Sequence, residues 1–427
     1  MKLSIFRSLC LLFAIFTVSS GALSQRPNFN RARTYDVQHY AISVSFDHKK
    51  RTVFGDTTVE LKPLADSFRI AVLDARDLKF ESVTLADRSE QLTYRTSPGK
   101  ITVTLDRDYM KDEAIKIRFK YSATPKKGIY FIDENSSDHK IEHSAQIWTQ
   151  GQPEEAHHWF PSFDFPSDKA TSETRIRVPV DMTVIGNGEL VGGEVHDDGT
   201  KTIHHMMGTP HPTYLISFVV GKYVKKEEQY NGISLAYYMY PGTEYMIEKA
   251  YGRTRDMLRI HEELTGIEYP FAKYDQTIVA KFSFGGMENI TATTMADTEI
   301  FAAEAAQRGW SNKAAFELHQ ATERLYHCVL LVCTFYTPHV HNIGFLRTQA
   351  ERIDPRLTYV WPRDTKRDRA RFEKLKEAYV KARYSKHYRI SKEELEWLGS
   401  QVEELGRVVH EVCSQRIEEL ARGARAA

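Results

Sequence analysis

The chain has 427 residues, 41% of them hydrophobic and 27% charged, and a formal net charge of +1. This length allows two to four domains with a sizeable core. The balanced charge argues against nucleic acid as a partner of the whole chain, although local patches remain able to bind it.

Residues 1–24 have the pattern of an export signal. Met1, Lys2 and Arg7 form a basic start, residues 9–18 form an apolar run, and residues 22–24 offer small side chains for cleavage. A membrane anchor is the alternative, but the run is too short to span a bilayer comfortably, and no later run approaches that length. We therefore expect a secreted or periplasmic protein with no membrane span.

The cysteines fit that expectation poorly. Cys10 lies in the signal, and Cys328, Cys333 and Cys413 lie in the last third of the chain. The region between has no cysteine, so no disulfide staples it. Three free thiols in a helical region are typical of core residues in a cytosolic domain.

Residues 35–223 alternate polar and apolar side chains with a period of two. The runs 40–46, 101–105 and 115–119 are clear examples, and turn signals separate such runs. We predict a large antiparallel β domain over residues 25–225. A further hairpin is expected around Asn231-Gly232.

The period changes in the next segment. A helix capped by Thr243 is expected to run to Leu264 and to end at Gly266. A strand at residues 277–280 then leads into the sequence Gly-Gly-Met-Glu-Asn at 285–289. Residues 226–301 are therefore predicted as a second unit.

Residues 302–427 are expected to form an α-helical bundle. The first helix has an apolar face between Ala314 and Val332, and two more follow around residues 346–353 and 372–382. Ser391 and Glu394 form a capping box that opens the fourth helix. Short connections favour antiparallel packing, so the fold class is multidomain α+β.

Two blocks of sequence then indicate a family. They are WTQGQPEEAHHWFPSFDFPSDKATSETRIRVP at 148–179 and GIEYPFAKYDQTIVAKFSFGGMEN at 266–289. With the order of the units, they resemble the zinc aminopeptidases of the aminopeptidase N type, or gluzincins. The resemblance implies that residues 226–301 are the truncated start of a thermolysin-like catalytic domain.

The resemblance also implies a cradle for peptide N-termini. A partly buried Glu288 would bind the free ammonium group by a charge-assisted hydrogen bond. Many relatives carry Glu at the position of Gln152. Because Gln152 has no charge, recognition of the amine would be weaker in this chain. Glycines at 285 and 286 would let the backbone lie close to an extended peptide. The implied substrate-binding residues are Gln150, Gln152, Gly285, Gly286, Met287, Glu288 and Asn289.

The family's next motif, His-Glu-x-x-His on a helix, is not found in the 427 residues. Its imidazoles would bind zinc, and its Glu would activate water. His261-Glu262 and His410-Glu411 begin the motif but lack the second His. Adjacent or alternate histidines elsewhere are better explained as satisfied or exposed side chains. We therefore expect no metal site and no cofactor, although the family uses zinc.

A second resemblance covers residues 310–420. Four blocks carry it in order: AAFELHQATERLYHCVLLV at 314–332, TPHVHNIGFL at 337–346, LKEAYVKARYSKHYRIS at 375–391, and LGSQVEELGRVVHEVCSQRI at 398–417. They resemble the HEPN domains, which are helical bundles. Members of that family pair with nucleotidyltransferases, bind nucleotides, or act as metal-independent RNases at a dimer interface.

The HEPN resemblance implies two sets of residues. The RNase branch uses an Arg and a His in one helix, and Arg383 with His387 would match. Only three residues separate them, one fewer than the branch uses, which puts cleavage in doubt. A basic cluster near three tyrosines would receive phosphates and stack a base, with residues 319, 320 and 323 lining the same cleft. The cluster is Lys381, Arg383, Lys386 and Arg389; a solvated charged face is the alternative.

Three readings of the whole chain remain. The favoured one is a catalytically incomplete aminopeptidase-like protein with a HEPN domain. It would bind peptide N-termini, nucleotides or both, and it could form a homodimer through its bundle. The second is a HEPN-type RNase or nucleotidyltransferase partner acting on RNA. The third is a fragment of a secreted zinc aminopeptidase joined to an unrelated protein in a chimeric gene model. Export is in tension with the usually cytosolic HEPN domain.

Overall fold

The structure is a computed structural model that describes residues 31–137, 141–301, 311–338, 340–385 and 387–426. The side chains of residues 299, 313, 383, 384 and 423–426 lie outside that description. The export signal at residues 1–24 also lies outside it and stays a prediction.

The described residues between 31 and 301 are built mainly from strands. In chain order the strands are β1 Tyr35–Asp47, β2 Thr52–Pro63, β3 Phe68–Asp74, β4 Leu78–Leu85, β5 Thr93–Ser97, β6 Lys100–Tyr109, β7 Ile115–Ala123, β8 Gly128–Ile132, β9 Gln146–Gln150, β10 Ala170–Pro179, β11 Thr183–Gly186, β12 Glu189–Val195, β13 Thr200–His211, β14 Phe218–Gly221, β15 Val224–Tyr230, β16 Ile233–Met239, β17 Lys273–Val279, β18 Gly286–Met287 and β19 Ala292–Ala296.

The largest sheet has seven strands in the order β12-β13-β10-β1-β2-β7-β4. All of its neighbours are antiparallel except β1 and β10, which run parallel with His39 opposite Thr171. The expected antiparallel domain therefore contains one parallel pair at its centre. The alternation seen in the sequence places Val37, Ile42 and Ile117 in the core, each with no exposed surface.

Two smaller sheets complete the first unit. β3-β6-β5 and β11-β14-β9-β8 each supply apolar side chains to the same core as the seven-stranded sheet. Trp159 packs against Phe218 of β14, Phe160 packs against Tyr40 of β1, and both are fully buried. The core is thus one continuous cluster shared by three sheets.

A mixed five-stranded sheet, β15-β16-β17-β19-β18, forms the next unit. β16 and β17 are parallel, as are β17 and β19. The hairpin predicted at Asn231-Gly232 is present, with φ of 47° and 82°, the left-handed pair that a tight hairpin turn requires.

The helix predicted from Thr243 to Leu264 is broken. A 3₁₀ turn at Glu244–Met246 leads into α1 Ile247–Tyr251, and α2 Thr254–Thr265 follows. The hydroxyl of Thr243 donates to the carbonyl oxygen of Tyr240 at 2.8 Å, so it does not cap the helix. The predicted end is correct, because Gly266 adopts a left-handed φ of 68°.

The C-terminal part is helical, in agreement with the prediction. After the short helix α3 Asp297–Ile300 come α4 Ser311–Thr334, α5 Ile343–Ile353, α6 Lys366–Tyr384 and α7 Lys392–Ala426. The predicted capping box is formed: Glu394 N–H donates to Ser391 Oγ at 3.1 Å, and Ser391 N–H donates to Glu394 Oε2 at 2.9 Å. These helices enclose a core of their own, centred on Trp361 and Leu398.

Among the described residues, no helix has both the length and the apolar composition needed to cross a membrane.

Candidate functional site

The proposed cradle begins at β9, whose five residues are all buried. The Trp148 indole N–H donates to the Ala280 carbonyl at 3.2 Å, and the Ala280 N–H donates to Gln146 Oε1 at 2.9 Å. These two bonds fasten β9 to the end of β17. The loop that follows β17 is therefore held next to the last residue of β9, Gln150.

The Gly-Gly-Met-Glu-Asn segment follows that loop. Gly286 and Met287 form β18 and pair with Met295 and Thr294 of β19. The side chain of Asn289 is buried and donates to Thr294 Oγ1 at 3.1 Å. Because its two ends are tied to β19, the segment presents a fixed strand edge beside β9.

Gln150 and Met287 are brought into contact. The Gln150 amide nitrogen lies 3.6 Å from Met287 Sδ, and both residues are at least 95% buried. Gln150 Oε1 is also buried and has no hydrogen-bond partner among the described residues. A buried acceptor without a partner costs free energy unless a ligand supplies a donor.

Two other predicted residues are placed differently from the expectation. Glu288, expected to be partly buried, is exposed and forms no hydrogen bond or ion pair with any residue that the structure describes. Gln152 is exposed as well. The side chain of Glu288 alternates away from the buried Met287 because neighbouring residues of a strand point to opposite faces. Its charge is therefore screened by solvent.

A side chain from the helical bundle covers part of the cradle. A Cβ added at Gly285 would lie 1.9 Å from Nη2 of Arg324, which belongs to α4. The guanidinium group thus rests directly on the Gly285 backbone. The sequence offered no signal for this contact, because it joins segments predicted to be separate units.

The predicted RNase pair is divided between two elements. α6 ends at Tyr384, so His387 lies in the turn after it, exposed, and not in the helix with Arg383. The expectation that both residues share one helix is therefore wrong. Lys386 and the Arg383 side chain lie outside what the structure describes.

The rest of the predicted basic cluster is a charged surface. Lys381 is exposed and forms an ion pair with Glu377 one turn earlier, at 2.6 Å. Arg389 is exposed and donates to the Tyr388 carbonyl at 2.9 Å. Tyr388 is buried in the bundle core, and its hydroxyl donates to the Lys374 carbonyl. It is not available to stack on a base.

A polar cluster inside the bundle includes His319 and Glu323, two of the three residues predicted to line the nucleotide cleft. Glu323 of α4 lies between His319, at 3.6 Å, and His341, at 2.9 Å. The ring of Tyr379 stacks on His341 with centroids 5.0 Å apart and lies against His319. His319 Nδ1 donates to the Leu375 carbonyl. The cluster thus joins α4, α6 and the segment before α5.

The charge of Glu323 is set by this cluster. Burial raises the pKa of Glu323, but the two neighbouring imidazoles outweigh it. His319 at 3.6 Å and the hydrogen bond with His341 at 2.9 Å together leave the pKa below its ordinary value. The side chain of His341 is 63% exposed, whereas those of His319 and Glu323 are buried. The result is an ionised carboxylate next to the exposed imidazole of His341, which stacks on the partly buried phenol of Tyr379.

Comparison with known proteins identifies part of the chain. Residues 36–215 match the Peptidase M1 N-terminal domain, and residues 249–318 match the Peptidase family M1 domain. The second match continues beyond Phe301, the predicted end of the peptidase-like unit, to Leu318 in α4.

Individual relatives agree with these matches. Leukotriene A-4 hydrolase of Xenopus laevis is 23% identical over 291 residues, which are 64% of this chain and 45% of that protein. Aminopeptidase 2 of Candida albicans is 22% identical over 61% of this chain and 28% of its own length. Probable aminopeptidase 2 of Sulfurisphaera tokodaii is 25% identical over 63% of this chain and 32% of its own. The chain spans less than half the length of these relatives.

The residues in the matched part of α4 do not fit a zinc site. Reading Glu317 as the Glu of His-Glu-x-x-His puts Phe316 and Gln320 at the two His positions. Neither side chain is a usual zinc ligand. In the part of the chain that the structure describes, no group of three His, Cys, Asp or Glu side chains is arranged to hold a metal ion.

Proposed function

We propose that this chain, which is homologous to M1 peptidases over residues 36–215 and 249–318, binds the free N-termini of peptides without hydrolysing them. The observation that carries the proposal is the contact between Gln150 and Met287, which joins the two cradle segments and leaves Gln150 Oε1 without a donor.

The cradle supplies the chemistry that an ammonium group needs. A peptide N-terminus laid along β18 would bring its N–H donors near Gln150 Oε1, and the exposed carboxylate of Glu288 would add an ionic contact. Exposed ion pairs contribute about 0.2–1 kcal/mol. The nearby cation of Arg324 acts against the ligand, because like charges repel. We therefore expect weak binding.

Hydrolysis would require a metal ion or another group that polarises the peptide carbonyl. In M1 enzymes that group is zinc, and with Glu317 read as the motif's Glu the two positions that would hold it carry Phe316 and Gln320. The proposal of binding without hydrolysis rests on these residue identities.

The test uses the purified full chain and one short peptide in two forms, with a free and with an acetylated N-terminus. Titration calorimetry or NMR should detect binding of the free form only. Glu288→Gln should weaken that binding about 2- to 5-fold, the worth of an exposed ion pair. Arg324→Ala should strengthen it by a similar factor, which a general loss of folding would not do.

Equal affinity for the two peptides would overturn the proposed amine recognition. Release of a fluorophore from an aminoacyl-coumarin substrate, dependent on added zinc and abolished by a chelator, would overturn the absence of hydrolysis. The two parts of the proposal are thus tested separately.

We also propose that the bundle is a HEPN-like domain that binds nucleotides at Tyr379 and His341. The support is the exposed ring of His341, which stacks on the partly buried ring of Tyr379 and on which a base could stack in turn. A fluorescent adenine nucleotide should bind the wild type and bind Tyr379→Leu several-fold less tightly. Unchanged binding would contradict this site. RNA cleavage that is lost in His387→Ala would instead favour an RNase.

A further inference from the structure

Two cysteines from different helices meet inside the bundle. Sγ of Cys328 in α4 lies 3.9 Å from Sγ of Cys413 in α7, although the two residues are 85 positions apart in the chain. Cys413 is buried in the bundle core, in the same apolar cluster as Val409 and Val412. Cys328 is exposed to solvent.

The burial of the pair is asymmetric, which gives the two sulfurs different reactivity. The contact between the two sulfurs lowers the pKa of Cys328, because a hydrogen bond from the Cys413 thiol stabilises the Cys328 thiolate. The same contact raises the pKa of Cys413. The exposed Cys328 is therefore the sulfur that ionises first to the thiolate, the form that attacks oxidants, while Cys413 keeps its proton.

The third cysteine of the bundle offers a built-in comparison. Cys333 lies on the same helix as Cys328, five residues further on, and is partly exposed. Burial raises the pKa of its thiol, and it makes no sulfur contact within hydrogen-bond reach among the described residues. The chain therefore carries one paired and one solitary thiol on α4.

We propose that Cys328 and Cys413 form a reversible dithiol–disulfide site that is oxidised by hydrogen peroxide. Neither the M1 homology nor the proposed binding sites involve this pair. Both cysteines lie in the bundle, and the proposal is tested independently of the proposed functions.

The reaction balances with peroxide as the oxidant. The Cys328 thiolate attacks one peroxide oxygen, breaks the O–O bond and becomes a sulfenic acid while hydroxide leaves. Cys413 then attacks the sulfenic sulfur, the S–S bond forms, and the departing oxygen leaves as water with the Cys413 proton. The two sulfurs together give up two electrons, which reduce one peroxide to water. A small dithiol reverses the change by thiol–disulfide exchange.

The geometry makes the second step easy. A disulfide has an S–S length of about 2.05 Å, so the sulfurs need to approach by less than 2 Å across the α4–α7 interface. Once formed, the bond ties the first helix of the bundle to the last. It restricts the unfolded chain across an 85-residue loop, and long loops gain the most from such a restriction.

The experiment treats the reduced full-length protein with hydrogen peroxide, blocks free thiols with iodoacetamide and maps the peptides by mass spectrometry. We expect a linked peptide containing Cys328 and Cys413, two fewer free thiols and full reversal by dithiothreitol. The rate of linkage should rise with pH as Cys328 ionises, at a lower pH than an ordinary thiol requires. The midpoint of thermal unfolding should rise by about 5–15 °C on oxidation.

Variants separate this pair from general cysteine oxidation. Cys333→Ser should form the linkage at the wild-type rate, whereas Cys328→Ser and Cys413→Ser should not form it and should show no thermal shift. Linkage of Cys328 to Cys333, or overoxidation of Cys328 while Cys413 stays a free thiol, would overturn the proposal. Since mapping of the wild type decides this, the result does not depend on the variants folding.

Discussion

At the scale of single residues, His205 shows how the packed sheets control charge. It is 5% exposed in β13, beside the ammonium group of Lys273 and the ring of His204. Burial lowers the pKa of His205 to about 3, and the two neighbouring groups add to the effect. The imidazole is therefore neutral in the folded protein over the whole physiological range.

This environment predicts acid sensitivity. In the unfolded chain a histidine has a pKa of about 6.5, so between pH 6.5 and 3 the unfolded state binds a proton that the folded state does not. The free energy of unfolding must therefore fall as the pH falls through that window. Between pH 7 and pH 4.5 the free energy of unfolding of His205→Gln should fall by about 2–3 kcal/mol less than that of the wild type. Urea denaturation at the two pH values measures this.

His261 is a matched control, because it is exposed on α2. His261→Gln should keep the full wild-type loss of stability on acidification. If the free energy of unfolding of His205→Gln and of His261→Gln changes equally with pH, His205 is not held neutral in the folded protein.

The cradle residues illustrate what a sequence resolves at this scale. Gln150 and Met287, from the two motif blocks, are in contact because each is fixed by strands that meet there; their role in binding peptides stays a prediction. The exposure of Glu288 was not predictable from its motif. Burial of a loop carboxylate depends on what covers it, and in this chain the neighbouring α4 places Arg324 on Gly285 instead.

At the scale of elements, local signals succeeded where their partners are close in sequence. The capping box of Ser391 and Glu394 is complete within four residues, and it forms as predicted. Thr243 has the same side-chain chemistry but does not cap, because the carbonyl of Tyr240 accepts its hydroxyl first. A capping residue is therefore predictable only when no other acceptor competes for it.

The capping box yields a second prediction. Ser391→Ala removes the acceptor for the Glu394 N–H and should lower the free energy of unfolding of the bundle by about 1 kcal/mol. Ser400→Ala, at an exposed position inside the same helix, should change it by less than about 0.5 kcal/mol. Chemical denaturation followed by helical circular dichroism measures both. Equal effects of the two substitutions would show that the cap contributes nothing.

At the scale of the whole molecule, the described residues form separate apolar cores. The β-sheet core and the bundle core share no buried side chain. Since each core is a self-contained cluster, we expect each to unfold as its own cooperative unit.

Calorimetry of two core variants tests this independence. Ile117 and Leu398 have no exposed surface in the sheet core and the bundle core, respectively. Ile117→Ala and Leu398→Ala should each cost about 2–5 kcal/mol, and each should lower the temperature of a different transition. A single transition that both substitutions shift equally would mean that the units unfold together.

Much of this architecture was predictable from the sequence, because periods of two and of three to four residues separate the sheets from the bundle. The pairing of strands was not. Alternation in β1 shows which face is buried, but nothing in its residues shows that its neighbour is β10 or that the two run parallel. Parallel partners are joined by long connections, and their choice depends on the whole chain.

The pairing of β1 with β10 also means that β1 is synthesised well before its partner strand. β1 ends at residue 47 and β10 begins at residue 170, and ribosomes add about 5–20 residues per second. One edge of β1 therefore waits roughly 6 to 25 seconds for its partner, with its backbone groups open to wrong neighbours. The nascent chain is most vulnerable to misassembly during this interval, and binding of a chaperone to its first hairpin would protect it there.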